Sequence, residues 1–166
     1  VKRIRPGLLI TGAPRSGTKY ATEVLREQGV DACHEERGTV TVSWMEAFNA
    51  SAWGGPVIHL VRNPIHVIAS MMTVHEDYLR RYVPGPWPAA AEPLERRAIA
   101  WCRITDAVDI GANCAHSTPL LNVERLEEQL GVTSSMPRDL NTRAHKSIEW
   151  DDLLAFDCGW YIAESA

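Results

Sequence analysis

The stretch Leu8-Leu9-Ile10-Thr11-Gly12-Ala13-Pro14-Arg15-Ser16-Gly17-Thr18-Lys19 constrains this chain more than any other. Three apolar residues and a threonine break into a loop bracketed by glycines, and a helical pattern follows over 17–28, with Gly29 as its stop. Strand, tight loop and helix, in that order, is how an α/β protein presents backbone N–H groups and a helix N-terminus to a phosphate.

The rest of the chain continues the alternation. Residues 30–33 read as a short second strand, 37–42 as loop or a brief extended segment, and 43–50 as a short helix capped by Ser43. Val57-Ile58-His59-Leu60-Val61 is nearly continuous in apolar residues, as expected of a strand buried on both faces of a parallel sheet. Asn63 as cap and Pro64 as first helical residue predict a helix from 64 to about 74, and 76–82 adds further helical turns. The longest helical pattern runs from 94 to about 115; 120–123 reads as a buried strand, 124–130 as a short helix and 150–163 as a closing helix. The pattern predicts one α/β domain over 1–166, with three layers: a mostly parallel sheet and helices on both faces.

Composition narrows the function. A net charge of −4 leaves no basic excess for nucleic acid, and no run approaches the length of a membrane span. Cys33, Cys102, Cys114 and Cys158 form no CxxC pair, which speaks against zinc and dithiol chemistry and favours a reduced, cytoplasmic setting. The chain begins at Val1 without Met, so targeting information upstream stays open. Nothing in the sequence sets the oligomeric state.

In a parallel sheet, ligands bind beyond the carboxyl ends of the strands. Four segments are expected to converge there: the loop after Thr11, His34-Glu35-Glu36, Arg62-Asn63-Pro64 and Glu124-Arg125. The spacing from Gly12 to Gly17 is that of a P-loop, yet Thr18-Lys19 reverses the Lys-Ser/Thr order of a triphosphate site, and Arg15 is the cation inside the loop. Residues Gly12, Ala13, Pro14, Arg15, Ser16, Gly17, Thr18 and Lys19 therefore read as a phosphate cradle that holds no Mg-bound triphosphate, and no metal is expected. Arg62 offers a second anion site, to which Ser70, almost two helical turns on, adds a hydroxyl. Two phosphate sites imply a nucleotide phosphorylated at two positions.

These motifs resemble those of one family. Gly12-Ala13-Pro14-Arg15-Ser16-Gly17-Thr18 resembles the 5'-phosphosulfate loop of sulfotransferases that use PAPS (3'-phosphoadenosine 5'-phosphosulfate). Val61-Arg62-Asn63-Pro64 followed by Ser70 resembles their 3'-phosphate motif. Leu120-Leu121-Asn122-Val123-Glu124-Arg125-Leu126 looks like the family's later "YExL" strand, with Asn122-Val123 departing from it. The likeness runs over 8–130 and is closest to short bacterial-type members and to tyrosylprotein and carbohydrate sulfotransferases. The glycine-rich GxxGxxK segment of cytosolic members is missing, with Arg143, His145 and Lys146 as substitute 3'-phosphate ligands. The resemblance implies a P-loop NTPase-like core and in-line sulfuryl transfer from PAPS, without a metal, to a hydroxyl or amine of a small molecule, sugar or peptide.

Such a reaction needs a base for the acceptor and a cation for the leaving oxygen. Arg15 fits the second role, helped by Ser16 and Lys19. Glu35 is favoured as the base, its pKa raised by burial and by neighbouring Glu36, with His34 as rival. An exposed acidic turn is the competing reading of all three. Acceptor contacts are expected from the proline-rich loop 84–93 and its flanking pairs Arg80-Arg81 and Arg96-Arg97, and Trp44, Trp53 and Trp87 are pocket or core residues. Rival functions are a small ATP-dependent kinase and a non-catalytic adenine-nucleotide-binding module.

Overall fold

Five short strands make one sheet that is parallel throughout: β1 (Leu8–Thr11), β2 (Ala32–His34), β3 (Val40–Val42), β4 (Val57–Val61) and β5 (Leu120–Asn122), in the order β2-β3-β1-β4-β5. The structure, a computed structural model, describes residues 7–89, 91–112, 119–136 and 147–156, without the side chains of 110–112. Lys2, Arg3, Arg5, Cys114, Arg143, His145, Lys146 and Cys158 lie outside the described residues.

The strand at 40–42 is the main departure from expectation. Val40, Thr41 and Val42 are all buried, and their backbone pairs with β1 on one side and β2 on the other. A three-residue run is too short to show strand periodicity in sequence, yet burial on both faces suits its β-branched residues. Its insertion moves β2, and with it His34 and Glu35, one place away from β1.

Helices cover both faces. Along β4 the side chains alternate: Ile58 and Leu60 meet the cluster that includes Tyr20, Ala21 and Val24 of α1 (Thr18–Glu27) and Leu126 of α5 (Leu126–Leu130). Val57 packs on the opposite cluster, where Ile68 and Met71 of α2 (Pro64–Met71), Leu79 of α3 (Glu76–Tyr82), Ile104 of α4 (Pro93–Ala112) and Leu153 of α6 (Trp150–Leu154) are buried. Each such fully buried side chain contributes about 1.5–3 kcal/mol of transfer free energy. His59, also on β4, places Nδ1 2.9 Å from Asp109 Oδ1 of α4 and ties sheet to helix. Burial pushes the His59 pKa down, and Asp109 works against that shift.

The helix expected at 43–50 is instead a 3₁₀ segment, Ala47–Ala52, which Ser43 does not cap. The loop after α3 is strapped down. Trp87 lies between the guanidinium groups of Arg80 and Arg103, each 5.4 Å from its ring, and Arg103 donates to Pro86 O at 2.6 Å. Among the described residues, no helix is long and apolar enough to cross a membrane.

Candidate functional site

A cavity of about 930 Å³ opens where β1, β2 and β4 end. Its walls come from the loop before α1, from the segment after β2, from Trp44 and Met45 after β3, from Arg62, α2 and α3, and from Val123 and Glu124 after β5. The expected convergence of the loop, His34-Glu35, Arg62 and Glu124 on one site is therefore what the fold produces, with Glu36 and Arg125 left outside it.

The loop keeps its shape through two glycines. A Cβ on Gly12 would lie 2.1 Å from the carbonyl oxygen of Leu60, so only glycine lets the loop approach β4. Gly17 has φ of 98° and its missing Cβ makes room for Val123. Between them, Ser16 N–H donates to Ala13 O at 3.1 Å. The first helical bond of α1 runs from Ala21 N–H to Gly17 O, so the amides of Thr18, Lys19 and Tyr20 have no acceptor within the helix. Pro14, Arg15, Gly17, Thr18 and Lys19 line the cavity. Gly12, Ala13 and Ser16 do not. The Ser16 hydroxyl is buried beneath the loop without a hydrogen-bond partner, close to where a Gly12 Cβ would stand.

The residues expected to hold a second anion meet the loop. Arg15 Nε–H donates to Ser70 Oγ at 2.9 Å across 55 residues of sequence. Ser70 is held for this by α2, which starts where Asn63 accepts the Ile65 N–H at 3.0 Å and Pro64 sets the first helical φ. Arg62, just before that helix, lines the same cavity. Its Nε is buried without a hydrogen-bond partner, and the nearest carboxylate oxygen, Glu124 Oε1, is 3.6 Å away. Glu124 Oε1 also lies 3.5 Å from His66 Nδ1. His66 was not among the expected residues, although it stands four before Ser70 and hence on the same helical face.

The ionisable corner is built from three segments. Glu35 N–H donates to Val42 O at 3.1 Å, continuing the β2–β3 ladder into a residue with φ of 60°. Ser43 Oγ–H donates to Glu35 Oε2 at 2.7 Å while accepting the Met45 N–H at 3.2 Å, so the hydroxyl proton is committed to the carboxylate. The other oxygen, Oε1, faces His34 Nε2 at 3.5 Å, and that nitrogen is 3.2 Å from Thr18 Oγ1. Burial raises the Glu35 pKa, opposed by the Ser43 hydroxyl and the Trp44 amide and assisted by Glu46. Burial lowers that of His34, and Lys19 and Arg26 lower it further.

Glu36 is exposed and away from the cavity, and the carboxylate that assists Glu35 is Glu46. The reason is backbone geometry: the left-handed turn at Glu35 sends its side chain inward and that of the next residue out. Ser43, read as a helix cap, is the residue that holds Glu35. Reading Val40-Thr41-Val42 as a strand would have placed Ser43 at the carboxyl edge of the sheet beside it. Among the described residues, the proline-rich loop contributes nothing to the walls, and neither do Trp53, whose Nε1–H donates to Gly7 O at 2.7 Å, and Trp87. Trp44 does line the cavity. No family model matches the chain, and no curated protein or solved structure matches it.

Proposed function

We propose that the chain is a PAPS-dependent sulfotransferase on a P-loop-like core, transferring a sulfuryl group to an acceptor hydroxyl or amine. The observation that carries this reading is that one cavity gathers Arg15 with Ser70, Arg62, and a carboxylate whose pKa burial raises. Backbone strain supports it independently. Among the described residues the non-glycine positions with positive φ are Arg15 at 71° and Glu35 at 60°, the two residues assigned to the chemistry. Each such conformation costs on the order of 1–3 kcal/mol and persists where the site depends on it.

The residues suit the nucleotide. Arg15 and the helix-start amides would hold the 5'-phosphosulfate, and Arg62, with its unsatisfied Nε, and Ser70 the 3'-phosphate. PAPS supplies the sulfuryl group, and every other task falls to the chain. Glu35 takes the proton from the acceptor hydroxyl as the new O–S bond forms. Arg15 stabilises the negative charge on the bridging oxygen as the old S–O bond breaks and its electron pair leaves with adenosine 3',5'-bisphosphate. His34, with Nε2 3.2 Å from Thr18 Oγ1 and 3.5 Å from Glu35 Oε1, holds the two in place.

A kinase would need a carboxylate at a strand end for Mg. Here β3, the neighbour of β1, runs into Ser43, and β4 runs into Arg62. Adenosine 3',5'-bisphosphate without Mg is expected to raise the melting temperature well above the effect of ATP with Mg, and the reverse ranking overturns the proposal in favour of the kinase.

A further inference from the structure

The cavity has a second character on the side away from its cations. Trp44 and Tyr82 meet edge to face with ring centroids 5.3 Å apart, Tyr78 stands 5.9 Å from Tyr82, and all three line the cavity with Met45 and Val74. Tyr78 is 54% exposed, an unusual position for so large a ring unless something covers it. The wall is joined to the ionisable corner through the chain itself: the Trp44 amide bonds Glu35, and Ser43 precedes it.

The charges around this wall define what it takes. The arginines and lysine that line the cavity are Arg15, Lys19 and Arg62, none from the segments that build the wall. On α3, Arg80 is bound to Glu76, and Arg81 lies over the Tyr82 ring, 5.6 Å from its centroid. A polyanionic acceptor would face Glu35, and the cation at this wall, Arg81, lies against the Tyr82 ring and does not line the cavity. The lining residues include no Asn, Asp or Gln, and the carboxylates and guanidinium groups among them, Glu35, Glu124, Arg15 and Arg62, come from neither of the segments that build the wall. What remains is flat apolar ring surface beside a proton acceptor.

We propose that the Trp44–Tyr78–Tyr82 wall is the acceptor subsite, and that it takes an uncharged molecule carrying its hydroxyl on a flat aromatic ring. The assignment rests on the sulfotransferase reading for the transfer step, but the wall is testable without it. The probe is 2-naphthol, its binding measured by calorimetry with and without adenosine 3',5'-bisphosphate. Binding is expected in both cases. Tyr78→Ala and Trp44→Ala each weaken it about tenfold, while Tyr78→Phe retains it. Because Tyr78 is exposed, its variants keep the fold, which a melting curve checks.

With labelled PAPS, 2-naphthol is expected to be sulfated in preference to methyl glucoside and to a glutamate-flanked tyrosine peptide. Sulfation of the glucoside or the peptide in preference to naphthol overturns the assignment and leaves the sulfotransferase reading intact. Naphthol binding that survives both alanine variants overturns it too. Naphthol binding to the wall in protein that does not bind the bisphosphate sinks the nucleotide reading and keeps the wall.

Discussion

Two groups of charged residues, one around Glu76 and one in the cavity, do opposite things. Around Glu76 the charges pair with one another, although Arg97 Nε is buried without a hydrogen-bond partner. Its carboxylate takes Arg80 at 2.7 Å, Arg96 at 3.1 Å and Arg97 at 3.3 Å, and Arg97 also donates to Val74 O. The Arg80 hydrogen bond leads in holding the Glu76 pKa below its ordinary value. In the cavity the pairing is looser and of another kind. Arg62 has a carboxylate only at 3.6 Å, and Glu35 is held by Ser43 and an amide while burial raises its pKa. Charges that satisfy one another hold α3 to α4. A charge without a close partner of opposite sign, as at Arg62, stays available to a ligand.

The largest effect expected from this contrast is on Glu35. Glu35→Gln should lower turnover of labelled PAPS with the accepted acceptor by about 10²–10⁴-fold and leave bisphosphate affinity unchanged. Retained turnover would move the base to His34. Stability should move the other way. A carboxyl whose folded pKa is raised stabilises the fold while protonated, and that contribution is lost as pH rises through the folded pKa. Glu35→Gln is therefore expected to melt higher than the parent at pH 7, with the gain vanishing in acid. Glu76 has the opposite sign: its contribution is present above the unfolded carboxylate pKa and is lost as pH falls through the lowered one, so Glu76→Gln should cost most at neutral pH.

Next in size is Arg97→Ala. Arg97 is 6% exposed and bridges Glu76 to the backbone, so its loss should destabilise by about 2–3 kcal/mol. In protein that remains folded, bisphosphate affinity should not change; a parallel loss would show that the two groups are not separate. Arg62→Ala is the mirror image. Affinity for adenosine 3',5'-bisphosphate should fall by about 1.5–3 kcal/mol, far more than for the 5'-monophosphate, with little change in melting temperature. Equal losses for the two nucleotides would remove Arg62 from the 3'-phosphate site.

The contrast also explains what was legible in the sequence. Glycine spacing, an apolar run and an Asn-Pro helix start are local signals. They place β1, β4, α1 and α2 within a few residues, and with them the loop, Arg62 and Ser70. The strand at Val40–Val42 depends on burial on both faces, which no three-residue window displays, and missing it hid the role of Ser43. Basic pairs look alike in sequence whatever they face. Arg80 and Arg96-Arg97 flank a proline-rich loop and suggested acceptor contacts, but one glutamate at position 76, three residues before Leu79 turns into the core, takes up all three of these arginines. Whether a cation is spent or available is decided by tertiary partners.

Glu124 tests that distinction most finely, because its effect should be small and its sign is the informative part. The carboxylate lies 3.6 Å from Arg62 Nε and 3.5 Å from His66 Nδ1, too far for a hydrogen bond to the arginine and partly open to solvent. An ion pair of this kind contributes about 0.2–1 kcal/mol. An incoming phosphate must take Glu124's place at Arg62 and also approach its negative charge. Glu124→Gln should therefore tighten the bisphosphate by a few fold and barely alter the melting temperature. If the variant binds more weakly, Glu124 orients Arg62 as Glu76 orients Arg97, and this side of the cavity belongs with the structural set of charges.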